Sequence, residues 1–137
     1  MNLTIGANQI TLMHVKTDTK EKFHVITLPG PAISATMTDE LSECLLPFLQ
    51  NAVKSLVVKM DEVVEIDLES AEVLGKIQQA FYEQSASFVI CGLQKSVEEF
   101  LDKNELLEVM NVTPSESEAW DIVQMEEIER EFLDEEE

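Results

Sequence analysis

Hydrophobic positions along this chain change their period several times, and each change marks an element. Gln9–Lys16 alternates, with Ile10, Leu12 and His14 on one face, which predicts a strand. The polar stretch Thr17–Glu21 predicts a hairpin turn. Lys22–Leu28 predicts a second strand, with Phe23, Val25 and Thr27 alternating against His24, Ile26 and Leu28. Pro29-Gly30-Pro31 then breaks the backbone. Leu41, Leu45, Phe48 and Leu49 recur at helical spacing. Thr36 or Thr38 can cap that helix, and Asp39 and Glu40 fall in its first turn, where carboxylates meet the positive end of the helix dipole. Pro47 lacks an N–H and predicts a kink or an early end.

The second half alternates strands and helices. Ser55–Met60, centred on Leu56-Val57-Val58, is a short apolar run suited to a strand buried on both faces. An acidic loop, Asp61–Asp67, follows. Leu68–Gln84 is helical, with Ala71, Leu74, Ile77/Gln78 and Phe81 on one face. Phe88–Cys91 is another buried strand, ended by Gly92, and Lys95–Lys103 is a short helix carrying Val97, Phe100 and Leu101. Leu106–Val112 reads as a connector or short edge strand. Thr113-Pro114-Ser115-Glu116 predicts the last helix start, with Thr113 as cap, Pro114 at the first helical position and Glu116 closing a capping box. The order β-β-α-β-α-β-α-(β)-α predicts an α/β fold, a mixed β-sheet with helices on its faces. Residues 1–115 form the body of one domain, 113–133 its C-terminal helix and 134–137 an acidic tail.

Charge adds a constraint. The 137 residues hold 28 acids and 9 bases, a formal net charge of −19. Such a surface repels phosphate backbones and anionic leaflets, which argues against nucleic-acid binding and membrane-surface binding. Residues 116–137 alone hold eleven acids and one base, Arg130. That run is either a solvated tail or an electrostatic handle for a basic partner. No apolar stretch approaches the ~20 residues of a membrane span, and no cationic start precedes an apolar leader segment. Cys44 and Cys91 sit in apolar runs and read as free buried thiols. A cytoplasmic, reduced setting is therefore expected.

The candidate chemistry is sparse. His14 and His24 both fall in predicted strands and read as structural or surface histidines, and no Cys/His spacing fits zinc. The acids of Asp61–Glu69 are interrupted by apolar residues and have no glycine for a sharp turn, unlike a calcium loop. Paired carboxylates could serve glycoside chemistry, but one Trp and one Tyr leave little to stack a sugar. No nucleophile elbow or phosphate-cradling glycine loop is present. The expectation is a protein that is not an enzyme and uses no metal or cofactor.

One segment carries a resemblance. Leu56–Leu74, reading LVVKMDEVVEIDLESAEVL, resembles the STAS family, the domain of bacterial anti-sigma-factor antagonists and of sulfate-transporter tails. That family shows a buried strand, a short loop, then Asp-Ser-Ser/Thr-Gly-Leu opening a helix. Leu28-Pro29-Gly30, Phe88–Gly92 and Leu101–Met110 resemble further family segments, so the likeness extends over most of the chain. It implies a regulator acting by protein–protein contact at the loop and helix start, here Asp61, Glu65, Asp67, Leu68, Glu69, Ser70 and Glu72. The implied partner is an anti-sigma factor, a switch kinase or a related scaffold. An alternative is an accessory subunit of a transporter or lipid-trafficking complex.

The sequence departs from the family pattern at its switch. Asp67 stands at the aspartate, Leu68 at the first serine, Glu69 at the phosphoacceptor and Ser70 at the glycine. The resemblance therefore implies a fixed charge where members carry a phosphorylatable hydroxyl, with Ser70 as an offset acceptor candidate. In the last helix, Ala119, Ile122 and Val123 share one face, while Met125, Ile128 and Phe132 lie roughly half a turn away. The second group is a candidate interface stripe, for a partner or for a homodimer.

Overall fold

The computed structural model describes residues 15–136, with side chains as far as Leu133. Most of the strand expected over Gln9–Lys16, with Ile10, Leu12 and His14, lies outside the described residues. Strand β1 is Lys16–Thr19 and β2 is His24–Thr27, paired antiparallel with Thr17 opposite Ile26 and Thr19 opposite His24. The turn thus comes later than Thr17–Glu21. It is Lys20–Phe23, closed by Lys20 N donating to Phe23 O at 2.8 Å. Thr17 and Thr19 are β-branched and find ladder partners, and that outweighs their polarity.

Strands β3 (Ala32–Ile33), β4 (Leu56–Lys59), β5 (Glu65–Ile66), β6 (Phe88–Cys91) and β7 (Val112–Thr113) follow. The main sheet has the order β1-β2-β4-β6-β7, parallel except for β1, and β3 pairs with β5 in a separate two-stranded ladder. Four α-helices complete the chain: α1 (Thr38–Leu45), α2 (Leu68–Glu83), α3 (Lys95–Lys103) and α4 (Glu116–Glu136). The mixed α/β architecture and the four helices match the expectation, Leu106–Val112 ends in the short edge strand β7, and β3 and β5 fall where the sequence predicts no strand.

The strict period of two in β2, β4 and β6 sorts the core into two layers. Ile26, Leu56, Val58, Phe88 and Ile90 face α1, α2 and α3, where they meet Leu41, Leu45, Ala71, Leu74, Ile77, Phe81, Val97 and Leu101. Phe23, Val25, Val57, Val89 and Cys91 face the other way and are covered by Ala119 and Val123 of α4. Three helices therefore cover one face and one helix the other. Each fully buried Leu, Ile, Val or Phe stabilises this arrangement by about 1.5–3 kcal/mol. Phe81 and Phe88 pack at a centroid distance of 5.2 Å, and Phe23 meets Trp120 edge-on at 5.4 Å.

Local chemistry moves two helix starts. Met37 precedes α1 without a side-chain cap; a 3-10 turn, Ala35–Met37, leads in instead. Thr38 does not cap, because its hydroxyl donates back to Ala35 O at 3.1 Å. Pro47 ends α1 as expected, and the chain continues as the 3-10 turn Leu46–Gln50. At α4 the capping box is displaced by two residues. Thr113 is recruited into β7, and its hydroxyl donates to Ser115 O at 3.0 Å. Ser115 Oγ then accepts from Glu118 N at 3.3 Å and donates to Glu118 Oε1 at 2.9 Å. Helix α4 continues through Asp134–Glu136, part of the segment expected as a tail.

A polar clasp holds α4 to the start of the sheet. Glu126 Oε1 accepts from the Tyr82 hydroxyl at 2.9 Å and from Ser87 Oγ, and Asn111 Nδ2 donates to the Tyr82 oxygen at 2.7 Å. Glu127 Oε2 accepts from Ser55 Oγ at 3.1 Å and from Arg130 at 3.0 Å, and Arg130 also donates to Ser87 Oγ at 2.9 Å. The chain's single arginine is thus engaged within the fold. Burial, reinforced by the bond to Glu126, pushes the Tyr82 phenol up to about 12.

Candidate functional site

The loop Asp61–Asp67 and the start of α2 form one surface at the C-terminal end of β4. Each part of its backbone is tied down. Val64 N donates to Pro31 O at 2.8 Å and Asp67 N to Ile33 O at 3.2 Å, which extends the β3–β5 ladder on both sides. Gln94 Nε2 donates to Asp61 O at 2.6 Å, and Ser96 Oγ donates to Val64 O at 2.7 Å. Gly30 packs against the carbonyl of Glu62 so closely that any side chain there would collide with backbone. That contact explains why glycine stands between the two prolines.

Asp67 is the central tie. Its Oδ1 accepts from Ser70 N at 2.9 Å, which caps α2, and its Oδ2 accepts from Ala35 N at 2.6 Å, which joins α2 to the turn before α1. These donors hold the Asp67 carboxyl below the usual carboxylate range. The nearby Ser70 hydroxyl acts most strongly, followed by the Ser70 amide, opposed by partial burial and helped by the Ala35 amide. The Ser70 oxygen itself is completely buried and closes no hydrogen bond of good geometry.

The sequence-derived residues therefore divide. Asp61, Glu65, Glu69 and Glu72 are exposed, together with Glu62. Leu68 is exposed although it opens an amphipathic helix, because Ala71, Leu74, Ile77 and Phe81 take the inward face. Asp67 is half-buried and Ser70 fully buried, and both are engaged at the helix start. Ser70 has no exposure at all, so the geometry opposes its use as an offset phosphoacceptor. Glu69, one residue earlier, points its carboxylate outward from the first turn of α2.

Sequence reading missed three contributors. Val64 is exposed in the loop and, with Leu68, adds an exposed apolar side chain to the acidic segment. The signal was present in Val63-Val64, since only one of two adjacent strand-like residues can face the core. Gln94 and Ser96, which hold the loop from α3, carry no signal in a single sequence. Lys16 Nζ lies 3.4 Å from Glu62, an exposed pair worth little.

The remaining candidates are structural. His24 is buried between Thr19 Oγ1 at 3.0 Å from Nδ1 and the Val53 carbonyl at 3.0 Å from Nε2. The carbonyl can only accept, so Nε2 donates to it. Burial pushes the Cys91 thiol up to about 11 and raises that of Cys44, the opposite of an activated nucleophile. Among the described residues no three His, Cys, Asp or Glu side chains converge as a metal site requires, and no helix is long and apolar enough to cross a membrane.

Comparison with known proteins follows the same outline. An anti-sigma factor antagonist from Mycobacterium paratuberculosis aligns with a TM-score of 0.71 at 12% identity, covering 82% of this chain and 94% of its own. A serine-to-glutamate variant of Moorella thermoacetica RsbS aligns at 0.66 and 19% identity, covering 80% and 94%. The murine Solute Carrier 26 family member A9 anion transporter aligns at 0.67 and 14% identity, covering 79% of this chain and 18% of the transporter. These likenesses are of fold. No curated protein matches the sequence. The sequence pattern of the STAS domain matches residues 14–119, most of the chain and the whole of the surface described above, and the chain belongs to the STAS family.

Proposed function

We propose that this protein is a non-enzymatic regulatory STAS domain that binds a protein partner through the loop before α2 and the first turn of that helix. The carrying observation is the exchange of roles at the helix start: Glu69 is exposed, while the hydroxyl of Ser70 is sealed inside. Where the family's pattern places a switchable hydroxyl, this surface presents a permanent carboxylate. Glutamate supplies one negative charge against about −1.5 to −2 for a phosphoserine. At the second helical position it also gains about 0.3–1 kcal/mol from the helix dipole. The domain would then hold one charge state instead of alternating between two.

The partner's chemistry follows from the surface. Val64 and Leu68 offer exposed apolar side chains, and Asp61, Glu62, Glu65, Glu69 and Glu72 are exposed acids of the same loop and helix start. A partner needs a small apolar projection with basic residues around it. The anti-sigma-factor-antagonist neighbours favour an anti-sigma factor, a switch kinase or a related scaffold in the cytoplasm. The likeness to a domain of an anion transporter supports a second reading, an accessory subunit of a transporter or lipid-trafficking assembly.

The test is capture of partners from the native cell, followed by affinity measurement with variants. A regulatory ATP-binding kinase or anti-sigma factor as prey supports the first reading, and a transporter ATPase the second. Leu68→Asp removes the apolar anchor and is expected to abolish capture. Glu69→Ala and Glu69→Ser are each expected to weaken binding by roughly tenfold, the equivalent of one charged contact. Unchanged affinity in both variants refutes the fixed-charge reading.

A further inference from the structure

Helix α4 does more than cover the sheet. Its inward face, Ala119 and Val123 with Glu126, Glu127 and Arg130, is fully used in core packing and in the polar clasp. At about 100° per residue, the opposite side carries Met125, Ile128 and Phe132. Each of the three is more than half exposed. Clustered apolar side chains of this size on a charged helix mark an interaction surface. The STAS match ends at Ala119, so the stripe lies beyond the matched residues.

The charges on its flanks say what fits. Positions 125, 128 and 132 have the spacing of successive seam positions in a coiled coil. The residues bordering such a seam select the partner. Here they are Glu129 on one side and Gln124 and Glu131 on the other, all exposed. Glu131 also meets Lys22 at 3.3 Å, but that pair is exposed and does not cover it. Sequence acids continue from Asp134 to Glu137. A second copy would set glutamate against glutamate along the seam, inside segments of net charge −10 each. Basic border residues would instead meet opposite charge along the same length.

We infer that the Met125–Ile128–Phe132 face of α4 is a second docking surface, built to receive an amphipathic helix with apolar seam residues and basic flanks. The surface is pre-organised, because the clasp through Tyr82, Ser55 and Ser87 fixes the helix from behind. It is separate from the Glu69 surface, so the two readings stand or fall independently.

The test uses the full chain and two synthetic heptad peptides, both with Leu at the seam positions, one with Lys and one with Glu at the flanking positions. The Lys peptide is expected to bind, and binding to weaken as salt is raised. The Glu peptide is expected to bind at least about tenfold more weakly, since several flanking pairs change sign. Ile128→Ser with Phe132→Ser is expected to lose the Lys peptide. Glu129→Lys with Glu131→Lys is expected to reverse the preference, a gain that damage to the fold cannot mimic. Failure of the Lys peptide to bind, equal binding of both peptides, or full binding by the serine variant overturns the inference. So does a dimer in sedimentation that the serine variant dissolves, because the occupant would then be a second copy.

Discussion

Asp67 shows how one half-buried carboxylate can set the geometry of a surface. It caps α2 and ties it to the turn before α1. Asp67→Ala leaves two backbone donors without their acceptor and is expected to cost about 1–2 kcal/mol in denaturant unfolding. The pH dependence has a definite sign. The folded-state pKa lies below the ordinary value, so this stabilisation is complete above the unfolded carboxylate pKa of about 3.9 and is lost as pH falls towards the lower folded value. The stability gap between the two proteins should therefore be constant near neutrality and close in acid. Tyr82 offers a second readout at this scale. It is the only tyrosine, so its ionisation can be followed directly by ultraviolet absorbance. Half-ionisation is expected near 12, and Glu126→Gln should lower it by removing the acceptor charge. The neutral phenol is the form the fold favours, so its contribution persists below the ordinary value of about 10 and fades as pH rises through the folded one.

Among the elements, α4 departs most from its sequence reading at the start and most repays testing there. Ser115, with Glu118, closes the cap. Ser115→Ala is expected to lower stability by about 1 kcal/mol, or roughly 3 °C in melting temperature for a chain of this size. Thr113→Ala probes the position expected from the sequence. It should show no loss of helix capping, because Thr113 belongs to β7. Thermal melts of the two variants decide between the assignments. The Thr-Pro-Ser-Glu string satisfies the box pattern in isolation. The pairing of Val112 and Thr113 with Ile90 and Cys91 removes Thr113 from the helix, and the next hydroxyl takes its role.

For the whole molecule, charge dominates. A net of −19 on 137 residues favours expansion, since like charges repel more when the chain is compact. Six ion pairs are present among the described residues, with side chains that are at least partly exposed, and they offset little of this. Added sodium chloride should therefore raise the melting temperature between low and physiological ionic strength. A gain of about 1 kcal/mol would appear as roughly 3 °C in calorimetry. The same charge divides between two outward surfaces at different places: the acids around Val64 and Leu68, and those beside the α4 stripe.

The sequence alone determined the order of the main-sheet strands and the four helices, the two buried strands centred on Leu56-Val57-Val58 and at Phe88–Cys91, and α3 to the residue, because period and apolar run length are local properties; the two-residue strands β3 and β5 were too short to leave such a signal. It also marked the loop and helix start by resemblance, and the outward face of α4 by helical spacing. Tertiary structure decided which hydroxyls cap, where the first turn falls, that Ser70 is sealed while Glu69 is exposed, and that Val64 joins the surface. These outcomes depend on competition between distant groups for the same donors, acceptors and space. Asp67 can reach Ala35 only because β3 and β5 lie side by side, and that pairing joins residues more than thirty positions apart.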